Sequence, residues 1–119
     1  MTVVDIFRDK EGRCCRFQMH GHADDDAVEG EDIVCAAISM LTINTINSLE
    51  KLARADIEYK AAREGGALCC RFKSPPDEKA VLLVESMILG FQSVRKQYGK
   101  KYLTIRSHRA KGTAPVIDL

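Results

Sequence analysis

The chain has 119 residues, with 18 Lys or Arg against 17 Asp or Glu, 45% hydrophobic residues and no tryptophan. This length suits one domain that can bury a core without disulfide or metal support, and the composition excludes collagen-like, low-complexity and strongly disordered chains. The near-zero net charge hides an uneven distribution. Asp24, Asp25, Asp26, Glu29, Glu31 and Asp32 crowd the first third, whereas Ser86 to Val116 carries Arg95, Lys96, Lys100, Lys101, Arg106, Arg109 and Lys111 and no acid. A charge dipole is therefore expected.

The opening M-T-V-V-D-I-F-R-D-K has acids where a signal peptide needs a basic start and an unbroken apolar run, and nowhere do eighteen apolar residues follow one another. A cytoplasmic protein is expected. The five cysteines, Cys14, Cys15, Cys35, Cys69 and Cys70, are odd in number and four of them are adjacent pairs. They read as free thiols of a reducing compartment, without the C-x-x-C spacing of a zinc ribbon or thioredoxin-type site.

Thr2 to Phe7 and Arg13 to Met19, around the turn residues Asp9-Lys10-Glu11-Gly12, predict a β-hairpin. Strict alternation along the second strand puts Cys15, Phe17 and Met19 on one face and Cys14, Arg16, Gln18 and His20 on the other, with His22 following His20 if the strand continues. Residues 23–30 have no apolar period and hold three successive aspartates, which predicts a mobile loop and a candidate lid.

With Asp32 as N-cap, a helix is expected from Ile33 to about Ala53, with Cys35 in its first turn. Asp32, Cys35, Ala36 and Ser39 share one stripe. Val34, Ala37, Ile38, Leu41, Thr45, Ser48 and Leu52 form an inner stripe, widened by Ile33, Met40, Ile43 and Ile46.

Residues 56–62 and 67–73 predict a second hairpin around Arg63-Glu64-Gly65-Gly66. Ser74-Pro75-Pro76-Asp77-Glu78 starts a second helix, with prolines in its first turn; it reaches Tyr98, with Gly99 as C-cap. Lys101 to Ser107 alternates as a closing strand. The predicted order is ββαββαβ: a single α+β domain over residues 1–108, a mainly antiparallel sheet with two helices on one face, and a tail over 109–119.

Chemistry concentrates between His20 and Ser39. A cysteine near a helix N-terminus lies close to unpaired backbone N–H groups and the positive end of the helix dipole, which favour thiolate, and a histidine from another element can serve as its base. Taken alone, Cys35 is more often a small apolar filler of a buried helix; the acids, loop and upstream histidines around it shift the balance. Periodicity does not choose between His20 and His22. H-x-H with Cys35 could also bind a metal, but no fourth ligand is placed. There is no phosphate loop or dinucleotide fingerprint.

Gly21-His22-Ala23, then a loop, then Gly30-Glu31-Asp32-Ile33-Val34-Cys35-Ala36-Ala37-Ile38-Ser39 resembles the signature of the ribosomal-processing cysteine protease family, Prp. The likeness extends to chain length, helix order and closing strand. The resemblance implies a bacterial cysteine endopeptidase that removes an N-terminal extension from the large-subunit ribosomal protein numbered twenty-seven. It implies His22 as base and Cys35 as nucleophile, no metal or organic cofactor, and a homodimer.

Asp32 and Ser39 match motif positions as supporting residues, Asp32 as a helix cap and Ser39 as a residue lining the pocket. The loop residues Asp24, Asp25, Asp26 and Gly30 are expected to recruit a cationic peptide, and the triple aspartate departs from the family pattern. Two other readings are a non-catalytic ribosome- or RNA-associated module using the basic C-terminal third, and a thiol redox sensor at Cys35.

Overall fold

The computed structural model describes residues 1–21, 29–62 and 67–109. The expected acidic lid, the turn at 63–66 and most of the tail therefore lie outside the described residues. The elements are β1 (Thr2–Arg8), β2 (Cys14–Gly21), α1 (Glu29–Lys51), β3 (Ile57–Ala61), β4 (Ala67–Phe72), α2 (Glu78–Tyr98) and β5 (Leu103–Arg109). The order is the expected ββαββαβ.

The strands form one sheet in the order β3-β4-β2-β1-β5. β1 pairs with β5 in parallel and the other three pairings are antiparallel. β2 and β3 therefore run parallel to each other, as do β4 and β5, and each helix is a crossover between parallel strands. The two crossovers leave oppositely directed strands and run opposite ways across the sheet, so the right-handed rule puts both helices on the same face.

That face holds the core. The register sets Val4 and Ile6 of β1 beside Met19 and Phe17 of β2, and these beside Leu68 and Cys70 of β4. They cluster with Val34, Ile38, Ile46 and Leu49 of α1 and Val84, Met87, Ile88 and Phe91 of α2. Gly90 lets the helices approach closely, since a Cβ there would stand 3.1 Å from Leu41 Cδ1. By length and composition α1 could span a bilayer, but its inner residues Val34, Ile38 and Leu49 are fully buried in this core.

The opposite face carries Asp5, Phe7, Arg16, Gln18, Arg71, Arg106 and His108. Asp5 is almost fully buried there, accepting hydrogen bonds from Arg106 Nε (2.7 Å) and Nη2 (3.0 Å) and from Gln18, with His108 Nε2 at 2.7 Å. Burial pushes its carboxyl up, but hydrogen bonds from Arg106, His108 and Gln18 outweigh this and hold it well below the usual carboxylate range. The Phe7 ring stacks on His108 and lies under the Arg16 guanidinium.

Several details differ from the expectation. The register passes from Phe7↔Arg16 to Arg8↔Cys14, leaving Cys15 opposite no residue. This bulge resets the alternation, and Cys14 enters the core in place of Cys15. The inner stripe of α1 keeps Val34, Ile38, Thr45 and Ile46 as expected and adds Thr42 and Leu49, leaving Ile33, Met40, Ile43 and Leu52 exposed. The two threonines tolerate burial because their hydroxyls donate to Ile38 O (2.7 Å) and Leu41 O (2.8 Å).

The prolines precede α2 instead of opening it. Asp77 is the N-cap, accepting from Ala80 N at 2.9 Å, and Gly99, at φ 90°, is the C-cap. Arg109 belongs to β5 and not to the tail.

Candidate active site

The site begins at the end of β2. Gly21 has φ +142°, and a Cβ there would stand 2.4 Å from Met1 O and 2.7 Å from Thr2 Cα. Only glycine lets the strand end pass this close to the start of β1. Its carbonyl oxygen faces α1 and accepts from the Cys35 thiol at 3.8 Å. The thiol is half-buried, within reach of the strand end and of solvent.

The start of α1 is tied to the same corner. The Met1 ammonium pairs with the Glu31 carboxylate, and Thr2 N donates to Tyr102 O at 2.9 Å. The Tyr102 ring covers Gly30, where a Cβ would stand 3.0 Å from Cε2. Gly21, Glu31 and Tyr102 thus set the position of the thiol. Gly21 was visible in the sequence as a motif residue, but the contact that makes it glycine depends on register; Tyr102 carried no local signal.

α1 begins at Glu29, four residues earlier than expected. Asp32 is therefore an exposed residue of the first turn and not the N-cap, and Gly30 is helical and not part of a loop. Acids at the positive end of a helix are favoured whether they cap or lie in the first turn, so Glu31 and Asp32 are compatible with either start. Cys35 becomes the seventh helical residue. Its amide lies beyond the four unpaired N–H groups, so it bonds to the Glu31 carbonyl and is unavailable to an oxyanion. The helix terminus therefore does not activate this thiol, because the dipole effect fades within the first turn.

The expected stripe survives: Asp32 and Ala36 are exposed, Cys35 and Ser39 half-buried. His20 is an exposed strand residue paired with Val3 and Ala67, on the sheet face away from the helices. The described part of β2 reaches Gly21. His22, Asp24, Asp25 and Asp26 lie outside the described residues. Among the described residues, no three His, Cys, Asp or Glu side chains gather as metal ligands.

The other thiols sit differently. Burial pushes Cys14 up to about 12, and also raises Cys15, Cys69 and Cys70. Cys14, Cys69 and Cys70 are buried, and Cys14 and Cys15 donate to Arg16 O and Phe7 O, each at 3.3 Å.

Residues 1–103 match the family model of the cysteine protease Prp. The ribosomal processing cysteine protease Prp of Staphylococcus aureus is 31% identical over 102 residues, covering 84% of this chain and 93% of that protein. Its Bacillus subtilis counterpart is 28% identical over 102 residues, covering 82% and 90%. The crystal structure of the S. aureus protease in complex with a substrate peptide superposes with a TM-score of 0.78 at 26% identity, covering 92% of this chain and 100% of that one.

Proposed function

The chain belongs to the cysteine protease Prp family, and on that premise we propose that it is a cytoplasmic endopeptidase in which His22 and Cys35 form the catalytic dyad. The supporting observation is the contact of the Cys35 thiol with the Gly21 carbonyl, whose carbon is bonded to the His22 nitrogen. His20 faces away.

His22 takes the thiol proton as Cys35 Sγ attacks the scissile carbonyl carbon. The imidazolium then protonates the leaving amine as the peptide C–N bond breaks, leaving a thioacyl-enzyme. Water, deprotonated by His22, attacks the thioester; the acid product leaves and the proton returns to sulfur. Ser39, one helical turn beyond Cys35, borders the substrate. Asp32 contributes negative charge at the helix start.

The substrate we propose is the N-terminal extension of the large-subunit ribosomal protein numbered twenty-seven. Ribosomal proteins are generally cationic because they bind RNA, and the acids of Asp24 to Asp26 and of Glu31 and Asp32 favour the approach of a cationic chain. A homodimer is part of the same proposal: Met40 and Ile43 of α1 and Leu82 and Leu89 of α2 are exposed apolar side chains that a second copy would cover. The test is to incubate the extended ribosomal protein with wild type and with Cys35→Ala, following the mass of the product. Intact substrate with the wild type overturns the assignment.

A further inference from the structure

The cations of the acid-free stretch from Ser86 to Val116 are not used in the proposed peptide cleavage. At its centre a cleft of about 400 Å³ opens at the C-terminal end of α2, lined by Gln92, Arg95, Lys96, Gly99 and Lys100. Among the described residues, its charged lining is three cations and no acid. Elsewhere four arginines are matched: Arg8 by Glu85, Arg13 by Asp9, Arg71 by Glu58 and Arg106 by Asp5. Among the described residues, Lys96 and Lys100 enter no ion pair, and Arg95 Nε is buried with no hydrogen-bond partner.

Cations in the last turn complement the helix dipole, which accounts for the placement of Arg95 and Lys96. It does not account for Lys100 and Lys101, which follow the helix, or for the concavity. Lys101 extends the positive surface, its ammonium 5.7 Å from the centroid of the Tyr102 ring. Guanidinium donors beside mobile ammonium groups are the chemistry that holds phosphodiester oxygens.

We propose that this cleft seats the phosphate backbone of RNA. The site is distinct from the Cys35 corner, though the 100–102 turn joins the two, since Tyr102 packs on Gly30. A cationic substrate segment and the RNA that such a segment binds would then be held at neighbouring sites on one end of the molecule. RNA binding and peptide cleavage are separate readouts, so either reading can fail without the other.

The experiment measures the affinity of a fluorescein-labelled single-stranded RNA for wild type, for R95Q/K96Q/K100Q, and for K10Q/K51Q/K73Q, which removes equal charge from exposed positions elsewhere. The cleft variant is expected to bind at least about tenfold more weakly, with a log–log salt slope smaller by roughly 2, at about 0.7 per phosphate contact. It should cleave peptide like the wild type, which also reports an intact fold. Unchanged RNA affinity in the cleft variant, or an equal loss in the control variant, overturns the proposal. So does displacement of RNA by inorganic phosphate at matched phosphate concentration, which would make the cleft a small-anion site.

Discussion

The Cys35 sulfur lies 3.8 Å from the carbonyl oxygen of Gly21, so the helix that carries the thiol is docked on the last residue of β2. A base joined to that strand end needs no further element to reach the nucleophile. Cys35→Ala and His22→Ala are each expected to lower kcat/KM for the extended substrate by at least about 10³-fold, with unchanged far-UV circular dichroism, because nucleophile and base act as a unit. His20→Ala should stay close to wild type. Loss of activity in His20→Ala with retention in His22→Ala would reverse the assignment.

The thiols should separate by reactivity. Cys14, Cys69 and Cys70 are buried, and burial disfavours the thiolates of Cys14, Cys15, Cys69 and Cys70. Iodoacetamide at neutral pH is expected to label Cys35 first, with Cys15, half-buried in its bulge, next. The Cys35 rate should fall in His22→Ala. Mass mapping of the alkylated peptides reads the order, and equal labelling of all five thiols would leave Cys35 as an inert helix residue.

Asp5 makes acid stability predictable in sign. Its folded-state carboxyl is depressed by Arg106, His108 and Gln18 despite burial, so the unfolded chain binds its proton at a higher pH than the folded one. The contribution is fully present above the unfolded value of about 3.9, and is lost as pH falls through the folded value. Asp5→Asn should cost about 1.5–3 kcal/mol at neutral pH, the range for hydrogen bonds to a charged group. The gap to wild type should narrow as pH falls below about 4. Urea titrations across that range test it; a gap that widens with acid contradicts the role given to Asp5.

The element order was legible because each run matched one period: two-residue alternation around Phe17 and Met19, and helical spacing from Ala80 through Val84, Met87, Ile88 and Phe91. The sheet order and the parallel β1–β5 pairing were not, since Leu103 and Thr2 are neighbours only through a crossover. Local pattern also misplaced Cys14, because a bulge changes parity without any glycine or proline to announce it. The start of α1 was ambiguous for an electrostatic reason: in Gly30-Glu31-Asp32 each acid suits a cap or a first turn equally. The motif found Cys35 but could not say how deep in the helix it lies, and that depth removed the argument from the helix terminus.

The contact between Tyr102 and Gly30 tests whether the Tyr102 ring positions the site. A Cβ on Gly30 would meet Tyr102 Cε2 at 3.0 Å and its Cδ2 and Cζ at 3.6 Å, so Gly30→Ala must displace the ring or the first turn of α1. Such overpacking costs typically about 1–3 kcal/mol, against a gain of up to about 1 kcal/mol from the better helix former. In the wild-type background Gly30→Ala should therefore be destabilising and should lower kcat, since the start of α1 carries the motif leading to Cys35. With Tyr102→Ala the obstacle is gone and the helix gain remains. The same substitution should then become neutral or stabilising, a coupling within the roughly 0.5–3 kcal/mol seen for residues in contact. Denaturant melts of the four proteins give the cycle. An identical effect of Gly30→Ala in both backgrounds would mean that the ring does not hold the helix start, and that the glycine serves the site in another way.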